Sequence, residues 1–124
     1  GLQSRVHFLG ALPPDEVRRA VAAADVSVLA SSNEGWANVL LESMACGTPV
    51  VASAVWGTPE VVTSAAAGVL MAERSPAGTV AGVTQLMSRY PDRQATRAHA
   101  EQFGWEATTR GQLEIFEQLA EKVA

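Results

Sequence analysis

The chain contains few of the basic residues on which nucleic-acid binding depends. Of its 124 residues, nine are Lys or Arg, and Lys122 is the only lysine. Thirteen residues are Asp or Glu, which gives a formal net charge of −4. Because binding to a phosphate backbone relies on many Lys and Arg side chains, we expect no nucleic-acid partner.

Cysteine is equally scarce, since Cys46 is the only one. This excludes an internal disulfide and a multi-cysteine metal cage, and we expect no metal site. No apolar run approaches the roughly 20 residues that span a bilayer, and no basic-then-apolar segment opens the chain. These absences favour a cytoplasmic setting. The 48% hydrophobic and 18% charged residues are typical of one globular domain.

Short apolar segments alternate with helical patterns. Strands are predicted at residues 5–9, 26–30, 49–53 and 68–71. Their apolar side chains run continuously, which is typical of a parallel sheet covered by helices on both faces. The predicted fold class is therefore α/β, with a Rossmann-like sheet. Because such sheets usually have about five or six strands, we expect residues 1–124 to form a single, N-terminally truncated domain.

Punctuating residues mark the helices. The first is expected to open at Pro13-Pro14, and the others to be capped or ended by Asn38, Gly47, Thr58 and Ser75. Two later helices have apolar residues at helical spacing. The first face comprises Val80, Val83, Met87 and Tyr90, and the second Trp105, Thr109, Leu113, Phe116 and Leu119. Trp105 is accordingly expected in the core.

The residues best suited to bind a ligand lie in the segment 31–53 (SSNEGWANVLLESMACGTPVVAS). Ligands of doubly wound sheets lie at the carboxyl ends of strands, and this loop leads into the amino end of a helix, which attracts phosphate. Gly35 and Ala37 allow close approach to the backbone. Glu42, one turn into the helix, offers a carboxylate suited to the vicinal hydroxyls of a ribose. Glu34 at the loop tip would meet the group beyond the phosphates.

Glu34 and Glu42 are eight residues apart, and pairs of glutamates at this spacing are common by chance. Their spacing alone therefore favours two glutamates that simply face solvent. The neighbours of Glu42 alter that interpretation, since a charge among apolar residues has little room to face solvent and needs a partner. These neighbours are Leu40, Leu41, Met44 and Ala45.

The segment resembles the signature of the retaining glycosyltransferase family 4 (group 1), which has the GT-B fold. The matching residues are Ser31, Ser32, Glu34, Gly35, Trp36, Leu41, Glu42, Met44, Ala45, Gly47, Pro49, Val50, Val51 and Ala52. Further similarity covers residues 6–10, 24–26, 57–62 and Gly68, with a family-like final helix from Trp105.

The resemblance implies a C-terminal, donor-binding part of a transferase that uses a nucleotide-diphosphate sugar and retains the anomeric configuration, with no cofactor. It implies that Glu34 is catalytic and that Glu42 binds the ribose. The donor sugar and diphosphate would contact Gly35, Trp36, Ala37, Asn38 and Val39, and the base pocket would comprise Phe8, Leu9, Gly10 and Ala11. The acceptor would be a glycan, a lipid or a small molecule, as in polysaccharide biosynthesis.

The chain departs from the family in three respects. It contains neither the Arg–Lys loop that clamps the diphosphate nor the N-terminal acceptor-binding domain, which is the expected partner within the parent chain. Ala54 and Trp56 also stand where many members have Asp and Gly. We therefore expect this segment alone to be inactive. A peripheral association of the parent with the inner face of the membrane stays open.

Other reactive or aromatic residues have plainer interpretations. His7 and His99 are expected at the surface, Cys46 as a buried inert thiol, and Arg89, Arg93 and Arg97 as a solvated helix face. Trp36 is equally consistent with stacking on a ligand or packing locally, and Trp56 with lining the cleft or covering the core.

The alternative function is a non-catalytic α/β module that binds a nucleotide or a protein, and a sugar epimerase or phosphorylase is a further option within the fold.

Overall fold

Helices and parallel strands alternate in the computed structural model, which describes residues 1–123. A 3₁₀ turn at Gln3–Arg5 precedes them. The elements are α1 (Pro14–Ala23), β1 (Ser27–Leu29), α2 (Asn38–Ala45), β2 (Val50–Ser53), α3 (Thr58–Val61), β3 (Gly68–Met71), α4 (Pro76–Ser88), α5 (Arg93–Ala100) and α6 (Trp105–Val123). The strand order is β1-β2-β3, with both pairs parallel.

Helices cover both faces of the central strand β2, all four of whose residues are buried. On one face Val50 and Ala52 pack with Leu40 and Met44 of α2. On the other face, buried Val51 clusters with Met71 and with Leu86 of α4. The expected α/β class, with a parallel sheet between helices, is confirmed.

The strand predicted at residues 5–9 is wrong. The segment follows the 3₁₀ turn without forming a strand, and Phe8 is 96% exposed. A strand is stabilised by hydrogen bonds to a neighbour, and no strand within residues 1–123 pairs with this segment. The described sheet therefore has three strands rather than four.

Two of the predicted helix caps are wrong and two helix boundaries are as expected. Ser75 caps α4 by accepting a hydrogen bond from the Gly78 amide at 3.0 Å. Gly47 ends α2 with a φ of 76°, which favours glycine. Asn38, however, is the first residue of α2 rather than its cap, and Thr58 is the first residue of α3. Neither helix has a side-chain cap.

The apolar face of α4 is rotated from the prediction. Val80 is 66% and Met87 50% exposed, whereas Gly82 and Leu86 are buried. A Cβ atom at Gly82 would lie 2.7 Å from Val51 Cγ1, so the glycine allows the helix to approach the sheet closely. The prediction failed because it used the spacing of large apolar side chains, and a glycine that packs against the sheet has no such side chain.

The predicted apolar face of α6 lies at the surface. Trp105 is 81%, Leu113 55% and Phe116 65% exposed. The placement of Trp105 in the core is therefore wrong.

Two residues expected to be solvated are anchored instead. Arg93 is half-buried and donates hydrogen bonds to the carbonyl oxygens of Ala22 and Ala24, and Arg89 follows α4 rather than sharing a helix with it. His99 is only 6% exposed. His7 is exposed as expected, and Cys46 is half-buried with a free thiol.

Candidate functional site

Two loops meet at the carboxyl edge of the sheet. The first, residues 30–37, follows β1, and the second, residues 54–57, follows β2. Ser53 Oγ donates a hydrogen bond to the Ser31 carbonyl oxygen at 2.6 Å. A Cβ atom on Gly57 would overlap the carbonyl oxygen of Gly35. The motif loop after β1, which we call the donor loop because the resemblance implies that it contacts the donor, therefore rests directly on the second loop.

The amides of the donor loop are only partly available to a ligand. The Asn38 amide donates to the Trp36 carbonyl oxygen at 2.8 Å, and the Leu40 amide donates to that of Ala37 at 2.9 Å. Within residues 1–123, the amides of Trp36, Ala37 and Val39 have no backbone acceptor. Trp36 and Val39 are exposed, whereas Ala37 is buried at 1%. The amides of Trp36 and Val39, rather than that of Asn38, can therefore meet an anion at the start of α2.

Glu42 is exposed, so the expectation that it lacks room to face solvent is wrong. The buried face of α2 comprises Leu40, Ser43 and Met44. Glu42 lies on another side of the helix because successive residues are rotated by about 100°. Its side chain lines an open groove of about 910 Å³ between α1 and α2, where it needs no protein partner.

The groove has an apolar lining with charges around it. Leu12 and Val17 contribute from the α1 side and Val39 from α2. Three arginines also line it, and two of these form surface ion pairs with carboxylates. The arginines are Arg18, Arg19 and Arg97, of which Arg18 pairs with Asp15 at 3.6 Å and Arg97 with Glu101 at 3.0 Å.

The structure does not bring every predicted site residue to this groove. Val39 and Glu42 line it, whereas Glu34 is half-buried in the donor loop beside exposed Gly35. The residues assigned to the base pocket are exposed and lie outside the groove, although the next residue, Leu12, lines it. The outlying residues are Phe8, Leu9, Gly10 and Ala11.

Both tryptophans near the edge are exposed. Trp36 is 45% exposed and packs on Phe103, with ring centroids 6.1 Å apart, which supports the local-packing interpretation. Trp56 is 74% exposed and has a φ of 47°, which is uncommon outside glycine.

Sequence reasoning missed Gly57 and Phe103 as neighbours of the donor loop. The signal for Gly57 was its place after a strand, at the same sheet edge as the motif. Phe103 gave no local signal, because it reaches Trp36 from the far end of the chain.

No three His, Cys, Asp or Glu side chains in the described part of the chain form a metal-binding group. Similarly, no helix within residues 1–123 has the length and hydropathy to cross a membrane.

Comparison with known proteins agrees with the motif. Residues 1–103 match the family model for glycosyl transferases group 1. The chain belongs to the group 1 glycosyltransferase family. Its relatives include D-inositol 3-phosphate glycosyltransferases from Geodermatophilus obscurus, 36% identical across 100% of this chain, and from Thermomonospora curvata, 39% identical across 94% of it. In both cases the match spans 28% of the relative's length.

The fold agrees as well. Sucrose-phosphate synthase from Thermosynechococcus elongatus, a GT-B enzyme, superposes with a TM-score of 0.81 at 28% identity. The match covers 98% of this group 1 chain and 32% of that enzyme. The chain thus spans less than a third of the length of these relatives, which is consistent with a segment of a larger protein.

Proposed function

We propose that this chain is the donor-binding part of a retaining glycosyltransferase that uses a nucleotide-diphosphate sugar. The observation that carries the proposal is the placement of the donor loop at the carboxyl edge of the sheet, where it leads directly into α2. Three amides at this junction have no backbone acceptor within residues 1–123, and Glu42 lies one turn further along the helix. That arrangement suits a diphosphate followed by a ribose.

The proposed roles follow the path of the donor. The free amides of exposed Trp36 and Val39 bind the diphosphate and donor sugar, while Gly35 leaves the backbone accessible and Ala37, which is buried, lies between them. Exposed Glu42 accepts hydrogen bonds from the ribose hydroxyls. Asn38 contributes through its side chain or position, because its amide is already bonded to Trp36.

The base is proposed to lie by the segment before α1. Phe8, Leu9, Gly10 and Ala11 lie outside the groove, but Leu12 lines it together with Glu42. A base bound at the Leu12 end of the groove would lie next to Ala11, the residue before Leu12, and the proposed pocket extends from there back to Phe8.

Glu34 is the proposed catalytic residue. In the transfer, the bond between the anomeric carbon and the diphosphate oxygen breaks, and the oxygen of an acceptor hydroxyl forms the new bond on the same face while its proton passes to the leaving diphosphate. Negative charge grows on the leaving diphosphate, and fixed amide dipoles stabilise it. Positive charge grows at the sugar, where the Glu34 carboxylate would stabilise it.

The remaining components are proposed to lie outside this chain. The Arg–Lys clamp and the acceptor-binding domain would come from the rest of the parent, so the segment alone is expected to be inactive. The relatives' name points to a phosphorylated inositol as one acceptor class, alongside glycans and lipids. The proposed setting is the cytoplasm, at the inner face of the membrane when the acceptor is a lipid.

Calorimetric titration of the full-length parent with UDP, GDP and ADP, each with and without its sugar, tests the proposal. We expect one nucleotide to bind, and Glu42→Gln to weaken it about tenfold or more, since hydrogen bonds to a charged group contribute about 1.5–3 kcal/mol. Glu114→Gln, the same change on exposed α6, is the control and should bind normally. Absence of binding by all three at millimolar concentration would refute the proposal.

A further inference from the structure

An aromatic contact links the donor loop to the turn that follows α5. The ring centroids of Trp36 and Phe103 are 6.1 Å apart and the rings are inclined by 57°. On its other side Phe103 faces His99, with centroids 5.5 Å apart and an inclination of 56°. Both separations are in the range of favourable tilted aromatic pairs. Phe103 therefore lies between a tryptophan of the loop and a buried histidine.

His99 is held at both ring nitrogens. Nε2 lies 2.9 Å from the Val61 carbonyl oxygen, which only accepts, so Nε2 is the donor. Nδ1 lies 3.2 Å from Ser64 Oγ and accepts its hydrogen, while Ser64 Oγ accepts from the Ala67 amide at 3.4 Å. Moving this ring would leave the buried Nε2 of His99 and the buried Val61 carbonyl oxygen unpaired, which is costly. His99 is therefore a fixed support for Phe103.

Trp36 also meets the loop that follows β2. A Cβ atom on Gly57 would lie 3.6 Å from Trp36 Cε3, and α3 begins at the next residue. Val61, the acceptor for His99, is the last residue of α3. The two segments that contact Trp36 are thus tied to each other through His99.

Apart from the packing of Gly35 against Gly57, the donor loop has little other support between its ends. Ser31 is bonded to Ser53 at its start, and Trp36 accepts from the Asn38 amide at its end. Between them, residues 32–35 make no hydrogen bond within the described chain. The first turn of α2 also lacks a side-chain cap. The position of Glu34 and Gly35 therefore depends on the packing of Gly35 against Gly57 and on what holds Trp36.

We propose that Phe103 and His99 are positioning residues for nucleotide-sugar binding, acting through Trp36. This inference rests on the function proposed above. Neither side chain contacts the donor. Phe103 holds the indole in place, the indole sets the backbone of the donor loop, and the loop presents Glu34 and the free amides to the ligand. His99 keeps Phe103 in register with α3.

The test uses the full-length parent with 5-fluorotryptophan, whose ¹⁹F resonance for Trp36 is assigned with Trp36→Phe. Phe103→Leu removes the ring and keeps an apolar side chain. We expect the Trp36 resonance to shift and broaden, and the Kd of the bound nucleotide to rise about three- to tenfold, in line with the loss of one aromatic pair. Phe103→Tyr keeps the ring and should restore both values.

The matched control is Phe116→Leu, which makes the same change on the exposed face of α6. It should leave both the Trp36 resonance and the Kd unchanged. His99→Phe keeps an aromatic ring without the two hydrogen bonds, and we expect it to shift the Trp36 resonance in the same direction as Phe103→Leu. The proposal is overturned if Phe103→Leu lowers the melting temperature while the resonance and the Kd stay at their wild-type values.

Failure of the proposed function gives a different pattern. In that case the wild-type parent binds no nucleotide, while its Trp36 resonance still reports on the loop. A Trp36 resonance that is unchanged in Phe103→Leu then refutes the positioning role by itself. A shifted resonance retains that role for the loop and refutes only the assigned ligand.

Discussion

The Arg93 guanidinium donates a hydrogen bond to Thr48 Oγ1 at 2.9 Å. The same group donates to the carbonyl oxygens of Ala24 at 2.9 Å and Ala22 at 2.6 Å, at the end of α1. Thr48 Oγ1 in turn donates to the Val21 carbonyl oxygen at 2.8 Å. One arginine of α5 therefore ties the end of α1 to the turn before β2.

Replacing Arg93 should destabilise the fold strongly. In Arg93→Met the carbonyl oxygens at the end of α1 lose their donor, while the aliphatic stem is largely kept. Because hydrogen bonds from a charged group contribute about 1.5–3 kcal/mol, we expect the free energy of unfolding to fall by about 2–3 kcal/mol in urea denaturation. Arg93→Lys should recover only part of it, since an ammonium lacks the planar fork.

Arg97→Met is the control for this change. The side chain of Arg97 is 65% exposed and forms an ion pair with Glu101, an exposed i,i+4 contact. Such pairs contribute about 0.3–0.5 kcal/mol. An equal fall in the free energy of unfolding of Arg93→Met and Arg97→Met would contradict the structural role of Arg93.

Thr58 and Thr96 form a matched pair of fully buried threonines. Thr58 Oγ1 has no hydrogen-bond partner in the described chain, whereas Thr96 Oγ1 donates to the Ala66 carbonyl oxygen at 2.8 Å. Since an unpaired buried hydroxyl is costly, Thr58→Val should stabilise the protein by about 1 kcal/mol. Thr96→Val should destabilise it by about 1–3 kcal/mol.

Thermal and urea unfolding of both valine variants measure the two effects. A loss of stability in Thr58→Val as large as that in Thr96→Val would show that the Thr58 hydroxyl has a hydrogen-bond partner, for example a bound water.

Much of the fold was predictable because its signals are local. The order of helices and strands from α1 to β3 follows from continuous apolar runs and punctuating residues, such as Gly47 and Ser75. The parallel sheet follows from strands without apolar–polar alternation. The strand at residues 5–9 failed because pairing depends on a neighbouring strand rather than on composition.

The loop that forms the candidate site was predictable from the sequence, but the residues that hold this loop in place were not. The motif places Glu34 and Gly35 at the carboxyl edge of the sheet, which is where such sheets bind their ligands. The exposure of Glu42 was missed because apolar neighbours in sequence occupy other sides of a helix. Phe103 and His99 were missed because their contacts join residues far apart in the chain.

Gly57→Ala should weaken nucleotide binding. The added Cβ would overlap the Gly35 carbonyl oxygen, so the donor loop must move away from the loop after β2. The φ of Gly57 is −74°, so an alanine there adds no backbone strain of its own. Because displacements of about 1 Å in a site can reduce its efficiency about a hundredfold, we expect Kd to rise by roughly tenfold or more.

Gly111→Ala in α6 is the control for this glycine substitution, since a Cβ there would meet no atom within 4 Å. It should bind the nucleotide normally and gain helix stability of about 1 kcal/mol. Calorimetric titration of the parent compares the two, and wild-type affinity in Gly57→Ala would refute the close packing of the loops.

The 124-residue chain on its own should self-associate through α6. Leu113, Phe116 and Leu119 lie on one side of this helix and are 55%, 65% and 54% exposed. A contiguous apolar face in water favours association, because burial contributes about 25 cal/mol for each Å². Light scattering should show a mass that rises with concentration, and Phe116→Ser should reduce the rise. Val80→Ser, on α4 and similarly exposed at 66%, should not. A constant monomer mass up to millimolar concentration would exclude association through this face.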